Sequence, residues 1–218
     1  MFSRLGGTLG RSSGFGRITK GTPMDPRPLY RSALDWTAGL AAAVTEEQMS
    51  LPTPCSEFDV RALIGHLVGT VRRGHAAASG RDVMAVNVDL HDLADPAGDL
   101  AAAAAASLAA WDADDSLLDA MITVPWGTVP GRGVLFGYLN ETLVHGWDLA
   151  VSTGQSAEAD PAVVGVVAGV FPQFLPADIR DADDVPFGRV VEPRPDAGPT
   201  ERLANWSGRD SAEWLTHA

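Results

Sequence analysis

The feature that most narrows what this chain can fold into is a helical period, carried through long stretches and broken each time by proline or glycine. Leu29, Ala33, Trp36, Leu40 and Val44 fall at steps of four, three, four and four, one face of a 3.6-residue turn that must be buried against other helices. The spacing predicts a first helix over 25–49, with Pro26 and Pro28 in its opening turn. LPTPCSEF then breaks the chain, and a second helix is expected over 60–79, capped by Asp59 and ended before Gly80. An Ala-rich third helix is expected over 99–111, entered at Pro96. MITVPWGTVPG, 121–131, alternates apolar residues with turn formers and predicts a short extended excursion. A fourth helix is expected over 133–152, with Gly154 as its terminator. A fifth, 161–174, is apolar nearly all round, so its burial is expected. Past Pro176 the chain is proline-rich and irregular, apart from a short helix at 200–206. The fold class is all-α, a four-helix bundle with short extended segments and an irregular C-terminal tail.

Charge removes several functions. The 218 residues carry 16 basic against 28 acidic groups, a net charge of −12. A sequence-independent nucleic-acid binder needs the opposite field, as does a protein that adheres to anionic lipid. No apolar run reaches the roughly 18 to 20 residues of a membrane span. The lone cysteine, Cys55, excludes an internal disulfide framework and any Cys-rich zinc module, and it suits a reducing compartment. A cytoplasmic protein without nucleic-acid or membrane partners is expected; nothing in composition fixes its oligomeric state.

Residues 1–23 stand apart. They hold four positive charges, no acids and frequent Gly and Ser, and no period runs through them. Glycines and arginines interrupt every candidate for the apolar segment of about 7 to 15 residues that a secretory signal needs. The expectation is a disordered leader, or a start placed upstream of the natural one at Met24, with 24–218 as one domain.

The chemistry-bearing residues are histidines and acids. In ETLVHGWDLA, Glu141 and His145 lie four apart, which puts both on one helix face about 6 Å apart along the axis. Oxygen and nitrogen can then converge on one cation at roughly 2.0 to 2.2 Å each. A pair at this spacing is also common as a plain polar contact. A third ligand must come from elsewhere, and His66, in the middle of the second helix among Leu63, Ile64, Leu67 and Val68, is the best donor. His75, nine residues on, falls on the opposite face. His91 and His217 are expected in solvent.

Two segments carry a resemblance. TPCSEFDVRALIGHLVG, 53–69, and ETLVHGWDLAVSTG, 141–154, resemble the paired signatures of the actinobacterial metal-binding family built on the N-terminal domain of mycothiol-dependent maleylpyruvate isomerase. That family lies within the DinB/YfiT-like superfamily of four-helix bundles. PFGRVVEPRPDAGPTERLANWSGRD, 186–210, is similar to its closing segment, so the likeness runs from about Pro28 to Trp214. The resemblance implies that His66, Glu141 and His145 are metal ligands and that the metal is divalent, typically zinc, with a fourth position open. An open zinc can bind a thiol and lower its pKa, and the resemblance makes mycothiol the expected cosubstrate. The resembled isomerase has a further C-terminal domain, whereas this chain ends eight residues after GRD; isomerase activity of that exact kind is not expected.

Other residues carry weaker expectations. Cys55 reads as a small buried apolar residue ahead of nucleophile or fourth ligand. Asp148 reads equally as a carboxylate that orients His145 or as one that binds helix-end or loop groups. Arg73 returns to the face of His66 about 10 Å along the helix, where it can meet an anionic substrate or simply be solvated. Trp36, Trp126 and Trp147 read as core before pocket lining. Three functions fit these features: a zinc-dependent, thiol-using transferase or isomerase acting on an unidentified electrophile; a non-catalytic, stress-related metal- or ligand-binding protein; and a metal-dependent hydrolase. The first is favoured.

Overall fold

The computed structural model describes residues 24–180 and 187–215; the leader expected over 1–23, and His217, lie outside them. Four helices form the bundle: α1 Arg27–Ala42, α2 Val60–Ala78, α3 Pro96–Asp112 and α4 Gly131–Thr153. The helix α2 lies along both α3 and α4, and α1 packs on the same two. Tyr30 and Leu34 of α1, Leu63, Ile64 and Leu67 of α2, Leu100 and Trp111 of α3, and Leu139, Leu143 and Trp147 of α4 are buried at the centre. Between α3 and α4 stands an antiparallel hairpin, β1 Met121–Val124 and β2 Gly127–Pro130. Three outer helices follow: α5 Pro161–Phe174, α6 Pro199–Trp206 and α7 Ala212–Leu215. The fold is the expected all-α bundle. No helix among the described residues is long and apolar enough to cross a membrane.

Local chemistry sets the ends of α2 and α4, the two helices that matter most here. The Asp59 carboxylate accepts the Ala62 N–H at 2.8 Å, satisfying one of the orphan donors of the first turn. Gly154 takes φ +69 at the end of α4, a left-handed conformation that glycine adopts without a Cβ penalty. Along α2, Gly65 and Gly69 let another backbone approach. A Cβ on Gly65 would stand 1.8 Å from the Leu90 carbonyl oxygen, and one on Gly69 would stand 2.4 Å from Val88 Cα. The 87–90 loop therefore lies directly on the helix, touching it one residue before His66 and three residues after.

Three expectations need correction. The first helix stops at Ala42, not near residue 49, because TEEQ starts a new turn: the Gln48 side chain accepts the Thr45 N–H at 2.9 Å in a capping box. Its buried stripe is Tyr30, Ala33, Leu34, Thr37, Leu40 and Ala41, so Leu29 and Trp36 lie at the edge of the expected face rather than along its middle. Finally, α5 is not buried all round. Val163, Val164, Val167 and Phe171 face inward, while Ala162, Gly165, Ala168 and Gly169 are exposed. Small residues carry little apolar area, so leaving them in water costs little.

The tail past Pro176 is irregular, as expected, yet it is anchored. Arg180, 5% exposed, donates to the carbonyls of Leu175, Pro176, Gly188 and Trp206. Arg194 grips Glu201 through two hydrogen bonds of 2.9 Å, and Ser211 donates to the same carboxylate. Asn205 donates to the Arg209 carbonyl and to Ser211. These bonds fix the turn that carries Arg209.

Candidate metal centre

Because α2 and α4 run side by side in opposite directions, His66 meets the turn of α4 that bears Glu141 and His145. One donor atom from each of the three lies within 4.8 Å of the others. The His66 and His145 rings stand edge to face with centroids 5.0 Å apart. His145 Nε2 is 3.5 Å from Glu141 Oε2. Donors bound tetrahedrally to one zinc at ordinary lengths are about 3.4 Å apart, so this pair already has the separation that chelation requires. The Nδ1 of His66 is buried and has no hydrogen-bond partner. A buried imidazole nitrogen left unpaired is costly unless a ligand takes it. Two imidazole nitrogens and one carboxylate oxygen, on residues one of which carries an orphaned ring nitrogen, suit a divalent transition metal.

Solvent reaches part of the cluster. The side chains of His66 and Glu141 keep 17% and 25% of their exposure, while His145 keeps 8%. Phe58, just ahead of α2, lies against the His66 ring with centroids 5.0 Å apart. From the 87–90 loop, Asp89 Oδ1 comes within 3.9 Å of His66 Nδ1. Thr70, one turn along α2, places its hydroxyl 3.5 Å from the Nε2 of His66.

His145 is held from behind. Its Nδ1 contacts Asp148 Oδ2 at 3.0 Å, and Asp148 is fully buried. The charge of Asp148 is met by Arg209, whose Nε and Nη2 donate to the carboxylate at 3.1 and 2.9 Å. Such an arrangement fixes the orientation and tautomer of a ligand imidazole, leaving Nε2 directed at Glu141. Asp148 therefore meets both expectations at once, orienting His145 and binding a loop group, the Arg209 guanidinium. Arg209 is the residue that sequence reasoning missed. It belongs to the GRD of the closing segment, 61 residues away, and no local period points from it to α4.

The electrostatics are asymmetric. Burial opposes the charged form of His145, but the hydrogen bonds to Asp148 and Glu141 outweigh it and raise its pKa to about 9. Burial and the charge of His145 lower His66 to about 4. Glu141 and Asp148 resist burial and stay below the usual carboxylate range, Glu141 through His145 and Asp148 through the Arg209 charge. At neutral pH, then, His66 offers a free lone pair, while the His145 ring is a cation with Nδ1 facing Asp148 and Nε2 facing Glu141. The proton on Nε2, toward Glu141, marks where a metal ion would compete.

The remaining candidates separate clearly. Cys55 is half-buried near this region, and burial, against the opposing charge of Arg209, pushes its thiol up to about 11; it stays protonated and unreactive. His75 points away and meets Arg81 at 3.2 Å, and His91 is exposed, both as the helical wheel and the acidic loop predict. Trp147 is buried core, Trp36 covers Gly146, and Trp126 is 48% exposed over Gly137, so Trp126 departs from the core expectation. The G-x-x-x-G that brackets His66 was the available signal for the 87–90 loop, since spaced glycines mark close backbone approach.

Comparison with known proteins agrees with this architecture. The profile of the mycothiol maleylpyruvate isomerase N-terminal domain matches residues 30–150, the span that carries all three residues of the cluster. Uncharacterized protein Rv0738 of Mycobacterium tuberculosis (strain ATCC 25618 / H37Rv) is 36% identical over 194 residues, which covers 85% of this chain and 98% of the relative. Uncharacterized protein MT0763 of Mycobacterium tuberculosis (strain CDC 1551 / Oshkosh) matches to the same extent. No solved structure matches at a comparable level. With a bundle of the expected class and a family profile spanning more than half its length, the chain belongs to the mycothiol maleylpyruvate isomerase N-terminal domain family.

Proposed function

We propose that the protein is a divalent-metal enzyme, with zinc held by His66, Glu141 and His145, that uses a low-molecular-weight thiol, mycothiol, in a transfer or isomerisation reaction. The observation that carries this reading is the convergence of three partly exposed or buried donors, with one of them fixed from behind by a buried carboxylate. When bound, such an ion supplies a Lewis acid that makes a thiol nucleophilic at neutral pH. The chain's own residues do the rest. Asp148 and Arg209 hold the His145 ring, His66 stays neutral and available, and Phe58 shields one side from water. Three protein ligands leave a coordination position for substrate, whereas a structural zinc is closed by a fourth.

The test is metal analysis of the purified protein followed by a cobalt-substituted thiol titration. About one ion per chain is expected, with a sulfur-to-metal charge-transfer band on adding mycothiol, both in the native chain and in Cys55→Ser. Metal retained in full by both His66→Ala and His145→Ala would overturn the ligand assignment. Metal binding without any response to millimolar thiol would move the protein to a non-catalytic metal-binding role.

A further inference from the structure

The loop between α2 and α3 brings a second aspartate to a histidine of the triad. Asp89 Oδ1 stands 3.9 Å from His66 Nδ1, the buried ring nitrogen that has no hydrogen-bond partner. Asp89 does not belong to the group of donors that lie within 4.8 Å of one another, so it meets the ring without entering the cluster. The approach is built into the fold. The missing side chains of Gly65 and Gly69 leave room for the Leu90 carbonyl and Val88 Cα, and Val86 and Leu90 pack against the core. Arg73 Nε donates to the Val86 carbonyl at 3.3 Å, so this arginine ties down the start of the loop. Asn87 Oδ1 accepts the Asp89 N–H at 3.0 Å, and Asn87 Nδ2 donates to the Asp89 carbonyl at 3.2 Å. The Asp89 backbone is thus fixed, while its carboxylate, 62% exposed, makes no hydrogen bond among the described residues.

A neutral imidazole carries one ring proton, and a carboxylate can only accept. With Asp89 beside Nδ1, the tautomer that holds the proton there meets an acceptor, whereas the other sets a lone pair against an anion. The far nitrogen agrees. Thr70 places its hydroxyl 3.5 Å from Nε2, and a hydroxyl can donate to the lone pair that this tautomer leaves at Nε2. His145 shows the finished form of the same arrangement, with Nδ1 3.0 Å from Asp148 and Nε2 facing Glu141. At His66 the carboxylate, at 3.9 Å, is about 1 Å short of a charge-assisted contact of about 2.8 Å. Rotation of an exposed side chain closes such a gap.

We infer that Asp89 is a positioning residue of the metal centre: its carboxylate accepts a hydrogen bond from His66 Nδ1, so that Nε2 is the ligating nitrogen. The inference rests on the reading of the triad as a metal site. It assigns a task to the two glycines that flank His66, which seat the loop that holds the ring. It also makes the two histidines alike in chemistry and unequal in setting. Each gives its Nδ1–H to an aspartate, but Asp148 is fixed in the core by Arg209, and Asp89 reaches in from the surface.

The full chain, with its histidine nitrogens isotope-labelled for NMR, tests the tautomer without metal and the ligating atom with it. In long-range proton–nitrogen spectra of the metal-free protein at neutral pH, with His66→Gln identifying the signals, the proton is expected on Nδ1 of His66. After loading with an NMR-active cadmium isotope, cadmium–nitrogen coupling is expected at Nε2. A proton on Nε2 in the first spectrum, or coupling through Nδ1 in the second, overturns the inference. Asp89→Ala should shift the metal-free tautomer toward Nε2–H. It should also weaken zinc binding about tenfold in competition with a chromogenic chelator, the lower end of the effect of such partners, because this carboxylate is exposed. Asp89→Asn, which keeps an acceptor oxygen, should recover part of both losses. The urea midpoint of the metal-free chain should change little in either variant. An unaltered tautomer and unaltered zinc affinity in Asp89→Ala also overturn the inference. If neither zinc nor cadmium binds, the metal reading fails instead. The metal-free tautomer in the native chain and in Asp89→Ala then still decides whether the carboxylate holds the ring.

Discussion

At the scale of residues, the proton on His145 and a metal ion compete for one position. His145 is raised to about 9, so metal uptake at neutral pH must expel its proton. Affinity is expected to rise about tenfold per pH unit up to roughly 9 and then level off; titrations at pH 6, 7 and 8 in a non-chelating buffer measure the slope. In the metal-free protein the sign reverses. A group with a raised folded pKa stabilises fully below its unfolded value of about 6.5, and that contribution is lost as pH rises through about 9. Urea midpoints of the metal-free chain should therefore decline between pH 7 and 9, and the decline should disappear in His145→Gln. The carboxylate behind the ring makes a separate claim. Asp148→Asn should weaken metal binding about 10- to 100-fold, as loss of an orienting partner does at other metal sites, with Arg209→Gln weaker in the same direction. Competition with a chromogenic chelator gives both constants.

At the scale of elements, the glycine seam of α2 and the anchoring of the tail can be examined independently of any metal. Gly65→Ala sets a methyl against the Leu90 carbonyl, and the loop must move, at a cost of about 1–3 kcal/mol. Gly39→Ala, on the open side of α1 with nothing within 4 Å, should instead stabilise by up to about 1 kcal/mol through helix propensity. Opposite shifts in urea midpoint for these two substitutions are the measurement. In the tail, Glu201 resists burial but is lowered by Arg194 and Ser211. Its contribution is present above the ordinary glutamate value of about 4.3 and is lost as pH falls through the lower folded value. The acid loss of stability should be shallower in Glu201→Gln.

These elements differ in how far local pattern reveals them. The bundle helices could be read because a 3.6-residue period and its Pro and Gly punctuation are local. Glu141 and His145 could be paired because four residues on a helix is a distance. His66 needed the partner helix, and its selection rested on an apolar context and a family likeness. Asp148 and Arg209 could not be joined, since a contact across 61 residues leaves no mark in spacing. The exposed side of α5 was hidden for a different reason: an Ala- and Gly-lined surface and a buried face look alike when only apolarity is counted. The end of α1 was lost to a capping box that competed with the longer period.

At the scale of the whole molecule, the triad joins two helices whose connection runs through α3 and the hairpin, so an ion bound there cross-links the bundle. A ligand present at a hundred times its dissociation constant stabilises by about 2.7 kcal/mol. For a domain of this size that corresponds to a rise in Tm of roughly 5–10 °C. Differential scanning calorimetry with and without zinc measures it, and the triple variant His66→Ala, Glu141→Gln, His145→Ala should show no rise.

The clamp from Arg209 to Asp148 also sets an order of events during synthesis. The residues of α2 and α4 leave the ribosome first and can pack while the rest of the chain is still being made. Until Arg209 emerges, Asp148 sits in the bundle as a carboxylate whose countercharge has not yet been translated, and the imidazole it steers has no settled pose. Completion of the site thus waits on a segment made well after both helices that hold it. A chain cut short before Arg209 would carry every residue of the triad, but with His145 no longer steered from behind.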